Sequence, residues 1–395
     1  MRMSFHLVTM AKDAGTGPVL LLGNLPEEIV ASEILIRLPP KAILRCRAVC
    51  RAWRRIASAR SFLLAHHRRQ LSLHLAYACK HPPLCHEILT IDHQAAAAAQ
   101  AQLQPVLQLS RDYAKPSLDG SNISLLASCD GLLVLSIGRM GFFICNPATR
   151  QFVRLNLHGF NILALYLHRP TSEYQLLLGP MPQYHMAIDR DLCYVLTLGS
   201  DQEPRCIGSL KAESMCDSPV LVRGNLHWTY SYDYEQHQRR NEMMITVFDT
   251  TSESFRQMRA PMVTDDALLF EMDDMVGIYS CSEDMTIVNI WVMEDYEREV
   301  WSLVRQIKLP VAEIRSNLEG RSSWDVMATY DAGNVLLLVD CGTRVLHVDT
   351  EGKLLSSSNY DGHSLYTIEV KLKQSLVRHI FFSRLQGDVK AWPFI

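Results

Sequence analysis

The residues of this sequence that are capable of chemistry are scattered along the chain. The densest group of metal-ligand residue types consists of Cys79, His81, Cys85 and His86. Two prolines interrupt this group, and its spacing matches no zinc module. We therefore predict a turn between two strands here and no metal site. The eleven cysteines of the chain are an odd number without a Cys-x-x-Cys pair, which favours free thiols in a reducing compartment.

No linear motif for catalysis is present. The 395 residues contain no GxSxG nucleophile elbow, no HExxH zinc motif and no glycine-rich phosphate loop. The fifteen histidines are dispersed, and an isolated histidine in a β-rich chain is usually a packed or surface residue. We therefore predict that the protein has no catalytic residue and needs no cofactor.

The sequence also lacks the features of a membrane or secreted protein. No apolar run reaches the ~20 residues of a membrane-spanning helix, and the first fifteen residues are too polar for a signal peptide. We expect a nuclear or cytoplasmic protein without a membrane partner. Residues 1–24 show no periodicity and are predicted to be a flexible leader.

Residues 25–56 form the one segment whose residue order points to a specific role. Pro26 suits the first position of a helix, and Leu38 before Pro39 must end that helix. Beyond this turn we predict a second helix with apolar residues at spacings of three and four on one face, namely Cys46, Val49, Cys50, Trp53 and Ala57. About 40 residues cannot bury such a face alone, so it requires the rest of the chain or a partner.

Positive charge is concentrated in the same region. Residues 41–69 contain nine Lys or Arg and no Asp or Glu; because the net charge of the chain is −3, the remainder carries −12. A basic helical stretch suits either nucleic acid or an acidic protein surface. The arginines flank an apolar stripe and no DNA-reading motif follows, so we favour an acidic protein partner over nucleic acid.

This segment resembles the F-box, the helical module that docks a substrate receptor onto the Skp adaptor of a cullin-RING ubiquitin ligase. The matching positions are Leu25, Pro26, Glu33, Ile34, Leu35, Arg37, Leu38, Pro39, Leu44, Val49, Cys50, Arg51, Trp53 and Ile56. The resemblance implies an F-box over residues 25–70 with a mainly apolar adaptor interface. The implied adaptor contacts are Leu25, Pro26, Ile29, Ile34, Leu35, Leu38, Pro39, Leu44, Val49, Cys50 and Trp53. The alternative is a helical hairpin that caps the following domain.

From Leu71 onward the periodicity is that of β-strands. A short apolar strand, a polar turn and a second strand recur six times, with turns opening at Asp92, Asn146, Gly199, Asp249, Glu294 and Asp349. Successive copies lie 54, 53, 50, 45 and 55 residues apart. Copies two to six each follow another predicted hairpin, at residues 125–136, 186–196, 219–231, 277–289 and 326–339. Four strands in each unit, without helical patterns between units, predict a β-propeller.

The predicted fold class is therefore α+β multidomain, with the small helical unit followed by an all-β propeller of about six blades over residues 71–395. Two further apolar segments, at residues 363–370 and 376–383, are predicted strands that complete the first blade and close the ring. A seventh, degenerate blade is the alternative, and the blade at residues 160–210 is the most weakly patterned.

Recurrent phrases in the β region resemble the kelch-like F-box-associated domain of plant F-box proteins. They include Ser128-Cys129-Asp130-Gly131, Asn146-Pro147-Ala148-Thr149-Arg150, Gly224-Asn225-Leu226-His227-Trp228 and Phe248-Asp249. The resemblance implies a non-catalytic substrate-recognition subunit of an SCF-type ubiquitin ligase. Its F-box binds the Skp-type adaptor, and through it the cullin and RING subunits, while the propeller holds a target protein. The alternatives are a propeller scaffold with nucleic-acid-binding helices and a propeller hydrolase or lectin.

Target contact is assigned to an aromatic-rich loop. Tyr230, Tyr232 and Tyr234 lie between two predicted strands, and exposed tyrosines make good contact residues at low entropic cost. In the alternative, Trp228, Tyr230 and Tyr232 alternate as the inward residues of one strand.

Overall fold

The computed structural model describes residues 26–80, 85–92, 102–108, 123–138, 141–180, 192–209, 218–229, 244–261, 263, 267–331, 333–360 and 363–385. The chain divides into two compact units, Met1–Arg69 and Gln70–Ile395. Within the described ranges, no helix combines the length and the apolar character needed to cross a membrane. The cysteines that these ranges place are free thiols.

From residue 26 onward, where the structure describes it, the first unit contains four short helices. Helix α1 (Glu27–Ile29) continues as a π-helical turn (Val30–Ile34) and a 3-10 turn (Leu35–Arg37). Helices α2 (Pro40–Cys46), α3 (Arg51–Ile56) and α4 (Arg60–Arg69) follow. The first helical segment ends before Pro39, as predicted. Leu38 and Pro39 both have an extended backbone, with ψ of 148° and 156°.

The prediction of one continuous second helix is wrong. Helix α2 ends at Cys46, and Cys50 has an extended backbone with φ of −156°. The apolar residues predicted to share one helix face therefore belong to two helices and the corner between them. These residues do recur at spacings of three and four. Spacing alone, however, does not show that the backbone leaves the helical conformation between Cys46 and Cys50.

The second unit contains the strands of the propeller. The strands are β1 (Ser72–Lys80), β2 (Cys85–Asp92), β3 (Gln102–Gln108), β4 (Ile123–Cys129), β5 (Leu132–Ile137), β6 (Gly141–Asn146), β7 (Gln151–Leu155), β8 (Phe160–His168), β9 (Glu173–Pro180), β10 (Leu192–Thr197), β11 (Arg205–Ser209), β12 (Val220–Val222), β13 (Asn225–Thr229), β14 (Met244–Asp249), β15 (Ser254–Arg259), β16 (Leu268–Met272), β17 (Met275–Cys281), β18 (Ile287–Asp295), β19 (Val300–Lys308), β20 (Asp325–Asp331), β21 (Asn334–Asp340), β22 (Arg344–Val348), β23 (Leu354–Asn359) and β24 (Ser364–Lys373). The described part of this unit also contains two short helices, α5 (Val311–Ser316) and α6 (Phe381–Arg384).

The strands pair as six antiparallel four-stranded sheets, which are the blades of the propeller. Blade one has the order β24-β1-β2-β3, and blades two to six take the remaining strands four at a time in chain order. Because β24 pairs with β1, the end of the chain closes the ring and covers an edge that would otherwise be open. The predicted fold class, six blades and closure by residues 363–370 are confirmed, and the seven-bladed alternative is wrong.

The predicted repeat corresponds to the third and fourth strands of each blade, as in β6 and β7. Two of the preceding hairpins are misplaced. Blade three begins with β8 and β9, whereas the predicted hairpin started at residue 186, in a segment outside the described residues. In blade five the predicted hairpin joins the second and third strands, β17 and β18, and the first strand is β16.

Apolar side chains fill all six interfaces between neighbouring blades. Along β5, Leu132 and Val134 pack toward blade three, while Leu133 and Leu135 pack toward blade one. This alternation follows from the period of two in a strand, and it explains why central strands are apolar at consecutive positions. The interface between blades one and six has the same construction, so the ring has a continuous core around its circumference.

Residues 374–385 form a strap that crosses blades two and three, which corrects the prediction of a strand at residues 376–383. The buried Asn146 side chain donates hydrogen bonds from Nδ2 to the carbonyl oxygens of Ser375 (3.1 Å) and Val377 (3.3 Å). The strap then buries Phe381 and Phe382 among apolar residues of blades two and three. Two carbonyl groups of the strap thus accept hydrogen bonds from a side chain of blade two and not from a neighbouring strand, so the segment does not extend a sheet there.

The connections between strands divide between two faces of the propeller. Successive connections in an antiparallel blade alternate between the two ends of the strands. One face therefore carries the turns between the second and third strands together with the links between blades, and we call it the crossover face. The opposite face carries the remaining turns, including Asp130-Gly131, and the strap starts there because β24 ends there.

Two buried histidines make the propeller sensitive to acid. Burial lowers the pKa of His227 and of His347 to about 4 from the ordinary 6.5. His227 donates from Nδ1 to the Val220 carbonyl (3.2 Å), and its Nε2 accepts a hydrogen bond from the Tyr296 hydroxyl (2.8 Å). Both imidazoles are therefore neutral in the folded ring at neutral pH.

We predict that acid unfolds the propeller through these groups. The unfolded state takes up a proton below pH 6.5 and the folded state only near pH 4, so the stability is complete above pH 6.5 and is lost as the pH falls toward 4. Each histidine contributes about 3 kcal/mol to this loss. Melting temperatures measured from pH 7.5 to 4.5 should fall steeply, and His347→Asn should flatten the curve. A melting temperature that is constant over this range would contradict the prediction.

Candidate functional site

The turn between α1 and α2 is fixed from inside the helical unit. His66 of α4 is fully buried and donates a hydrogen bond from Nε2 to the Leu38 carbonyl (2.7 Å). Burial lowers the pKa of His66, although the hydrogen bond to Leu38 opposes that shift. The Phe62 ring stacks on the imidazole with centroids 6.0 Å apart. A neutral, packed histidine therefore holds the backbone at the point where the two helices separate.

Two arginines stabilise the corner between α2 and α3. The Arg47 side chain donates from Nε and Nη2 to the Ala57 carbonyl, at 3.0 and 2.8 Å. Arg54 donates from Nε to the Arg47 carbonyl (2.9 Å). These bonds satisfy backbone acceptors at the carboxyl ends of both helices, where cations are favourable. The corner is therefore well defined, and it presents Val49 to solvent with 63% of its surface exposed.

Cys50 has a structural role at this corner. It is the N-cap residue of α3, and its sulfur accepts a hydrogen bond from the Trp53 backbone N–H (3.4 Å). The thiol thus satisfies one of the free donors of the first helical turn. It remains exposed, so it also forms part of the outer surface next to Val49.

Ion pairs tie the helices together at the surface. Glu27 of α1 binds Arg55 of α3, and Glu33 binds Arg37 one turn later. All four side chains are well exposed, so each pair contributes little to stability. The pair between Glu27 and Arg55 nevertheless links two helices that are distant in sequence.

The implied adaptor contacts fall into three groups by exposure. Six are exposed: Pro26, Ile29, Pro39, Leu44, Val49 and Cys50. Three are half-buried: Ile34, Leu38 and Trp53. Leu35 is fully buried, and Leu25 lies outside the described residues. A side chain without exposed surface cannot contact a partner, so Leu35 belongs to the core of the helical unit, where its 3-10 turn packs on α4.

Exposed cations occur along the chain beside the exposed apolar residues of α2 and the corner. Lys41, Arg45 and Arg51 are exposed, and each lies within three residues of Leu44 or Val49 in the sequence. The sequence indicated the total charge of this region, but it did not show which cations bind groups of the same unit and which face solvent. Arg47, Arg54 and Arg55 bind other groups of the same unit, and their roles depend on contacts that sequence spacing does not show.

The predicted target-contact loop belongs to a segment that the structure does not describe. Tyr230, Tyr232 and Tyr234 lie outside the described residues, so their role in target contact stays a prediction. Trp228, at the end of β13, is buried between blades three and four. Since β13 and β14 are the second and third strands of blade four, β13 ends and β14 begins at the crossover face.

The two strands predicted on either side of this turn are confirmed, because β1 and β2 pair antiparallel with Cys79 opposite His86. The turn itself, residues 81–84 with His81, lies outside the described residues. The Tyr77 hydroxyl donates a hydrogen bond to Nδ1 of His86. In the part of the chain that the structure describes, no three His, Cys, Asp or Glu side chains are grouped as metal ligands.

Comparison with known families decides where this architecture belongs. Residues 91–381 match the family described as "F-box associated beta propeller domain". The chain belongs to this family. Residues 22–68 match a second family, described as "F-box-like", and they span the four helices described in the first unit except for the last residue of α4. This F-box protein therefore has the architecture of the substrate adaptors of SCF-type ubiquitin ligases.

Its curated relatives are F-box proteins from Arabidopsis thaliana. The F-box protein At5g49610 is 22% identical over 72% of this chain and 79% of its own length. The F-box protein CPR1 is 22% identical over 88% of both chains. Among solved structures, a chain of the nidogen/laminin complex aligns with 76% of this F-box protein and 98% of itself, at 12% identity and a TM-score of 0.41.

Proposed function

We propose that this F-box protein docks on a Skp-type adaptor through the exposed side chains of its helical unit. Ile29, Leu44 and Val49 are 43%, 41% and 63% exposed, although the unit has a buried core that includes Leu35 and Ile43. Large apolar side chains that stay exposed on a small unit with a formed core are typical of a binding surface. This exposure is the observation that supports adaptor docking most strongly.

The charge of the same surface favours an acidic partner. Lys41, Arg45 and Arg51 flank Leu44 and Val49, and no acidic residue occurs between positions 41 and 69. Cations around an apolar contact accelerate encounter with an acidic protein, and apolar side chains then supply most of the affinity. An acidic Skp-type adaptor fits both requirements, and it would bring the cullin and RING subunits with it.

The propeller is proposed to hold the target protein without catalysis. Blades that bury their faces against one another form a rigid ring, and the connections at its faces supply variable contact surface. The ubiquitin-transfer chemistry then belongs to the other subunits of the ligase. Nuclear or cytoplasmic location stays a prediction that fluorescence microscopy of the tagged protein can check.

Co-elution of purified proteins tests adaptor docking. The full chain and a plant Skp-type adaptor should elute together from a size-exclusion column, and added cullin should join the complex. The association rate should fall as the salt concentration rises from about 50 to about 500 mM, because salt screens the surface charges. Separate elution of chain and adaptor at micromolar concentrations would contradict the proposal.

A matched pair of variants tests the role of charge. Replacing Lys41, Arg45 and Arg51 together with glutamine should slow association with the adaptor about tenfold, because it removes three steering cations. Replacing Arg305, an exposed arginine on β19 of the propeller, with glutamine should leave the rate unchanged. Stopped-flow fluorescence measures both rates. Equal rates for the triple variant and the wild type would show that the cations do not steer the adaptor.

A further inference from the structure

The outer rim of the propeller consists of the fourth strands of the blades. The first strands of neighbouring blades contact one another around the axis, as β4 does with β8 and β16 does with β20, so the fourth strands lie farthest out. Among the described strands, each fourth strand pairs with the third strand of its own blade and has no strand on its other edge. Such an edge presents backbone N–H and C=O groups with which a further chain can pair.

β19, the rim strand of blade five, differs from the other five rim strands. β7, β11, β15 and β23 have only five or six residues, and β3 contains Pro105, which removes a backbone donor. β19 has nine residues and no proline. It exposes three large apolar side chains, Val300, Leu303 and Val304, with 38% to 44% of their surface accessible. On the described residues of the other rim strands, Leu355 of β23 is the one large apolar side chain with comparable exposure.

Both ends of β19 are fixed by hydrogen bonds. At its start the Trp301 indole donates to the Arg259 carbonyl of β15 (2.9 Å), and the Arg259 N–H donates to the Glu299 carboxylate (3.0 Å). Just beyond its end the Leu309 N–H donates to the Thr286 carbonyl (2.8 Å). A strand that is already held in place loses little entropy when a partner pairs with it. The same bonds engage Glu299, which is the acidic residue nearest to β19 in the sequence.

The charge of β19 favours an acidic partner. Residues 300–308 include the exposed cations Arg305 and Lys308 and no Asp or Glu, whereas the propeller unit as a whole contains 27 Lys or Arg and 38 Asp or Glu. The two cations lie opposite Ile290 and Ile287 of β18, which cannot neutralise them. The edge of β19 is therefore a locally positive, partly apolar strip on a negatively charged propeller.

A second copy of the chain fits this edge poorly. Val304 is the extra residue of a β-bulge, because Trp291 of β18 pairs with Leu303 and Ile290 pairs with Arg305. Two copies of β19 side by side would bring two bulges and four cations into one interface, and both features oppose strand pairing. A short acidic segment avoids both problems, since it can pair with β19 on one side of the bulge and neutralise the cations.

We propose that β19 binds a short, extended, acidic segment of another protein, which adds a fifth strand to blade five. The backbone of the segment pairs with the open edge of β19. Its apolar side chains contact Leu303 and Val304, and its carboxylates contact Arg305 and Lys308. This inference concerns the propeller and holds whether or not the helical unit binds an adaptor.

Binding of designed peptides tests the proposal. The full chain is titrated to about 300 µM into a fluorescein-labelled ten-residue peptide of alternating valine and glutamate, and we expect a Kd on the order of 100 µM from the fluorescence anisotropy. Two control peptides should not bind. Alternating valine and lysine has the wrong charge, and a valine–glutamate peptide with N-methyl groups on its four central residues lacks the backbone donors for strand pairing. Hydrogen exchange should slow at residues 300–308 when the first peptide binds, and not at residues 254–259 of β15.

Variants of exposed residues locate the contact. Leu303→Ser with Val304→Ser should raise the Kd at least about tenfold, and Arg305→Gln with Lys308→Gln should raise it about tenfold. Leu355→Ser, on the rim strand of blade six, is the matched control and should leave the Kd unchanged. All of these side chains are exposed, so the melting temperature should stay that of the wild type.

Four outcomes would overturn the proposal. They are no binding of the valine–glutamate peptide, equal binding of either control peptide, an unchanged Kd for the Leu303→Ser, Val304→Ser variant, and a dimer in sedimentation equilibrium that this variant dissociates. The last outcome would assign the edge of β19 to a second copy of the chain. The adaptor is absent from these samples, so their result is independent of adaptor docking.

Discussion

Replacing Phe381 and Phe382 together with alanine will lower the free energy of unfolding of the propeller by about 5 kcal/mol. Both rings are buried in the cluster between blades two and three, with their centroids 4.6 Å apart. Loss of one buried phenylalanine usually costs about 3 to 5 kcal/mol, and two neighbouring rings that share a cavity do not add fully. Urea unfolding followed by tryptophan fluorescence measures the change.

Ile380 provides the matched control for this prediction. It precedes Phe381 and is 70% exposed, so Ile380→Ala should change the unfolding free energy by less than about 0.5 kcal/mol. A double variant as stable as Ile380→Ala would show that the strap adds nothing to ring closure. In that case β24 alone would hold the ends of the chain together.

Replacing Leu44 and Val49 together with alanine will weaken adaptor binding by about 3 kcal/mol, on the order of a hundredfold in Kd. Both side chains are exposed in the chain itself, so their loss leaves the core of the helical unit intact. The effect should therefore appear in the dissociation rate and not in the melting temperature. Surface plasmon resonance with immobilised adaptor measures both rate constants.

Leu64 on α4 is the control, because it is 37% exposed and is not among the implied adaptor contacts. Leu64→Ala should bind the adaptor with the Kd of the wild type. If Leu64→Ala weakens binding as much as the double variant does, the adaptor covers a different face. If neither variant weakens binding, the exposed apolar side chains of α2 and the corner are not the docking surface.

The repeat architecture could be predicted because it depends on local signals. Pairs such as β6 and β7 are short apolar strands joined by a turn whose residues favour tight turns, and the pattern recurs six times. The first strand of blade five was missed because its turn to β17 consists of Asp273 and Asp274, with φ of 50° and 60°. Two aspartates form this left-handed turn less often than Asn-Gly does, so the turn was inconspicuous.

Two other errors have a different physical origin. Residues 376–383 are apolar enough for a strand, but the Asn146 side chain donates hydrogen bonds to the carbonyl groups of Ser375 and Val377. Asn146 lies 229 residues before Ser375 in the sequence. The helical corner at Cys50 likewise depends on the Arg47 side chain reaching Ala57. Side-chain contacts that bridge 10 and 229 residues of sequence are involved in these two cases, and a single sequence does not reveal them.

A receptor that links a ligase to its target must shorten the lifetime of that target through the helical unit. The direct measurement is the half-life of the proteins captured by the propeller, in plant cells that express either the wild type or the Leu44→Ala, Val49→Ala variant. We predict that both forms capture the same protein, that it decays faster with the wild type, and that proteasome inhibition removes the difference. Equal half-lives with the two forms, while the variant has lost the adaptor, would contradict the receptor function.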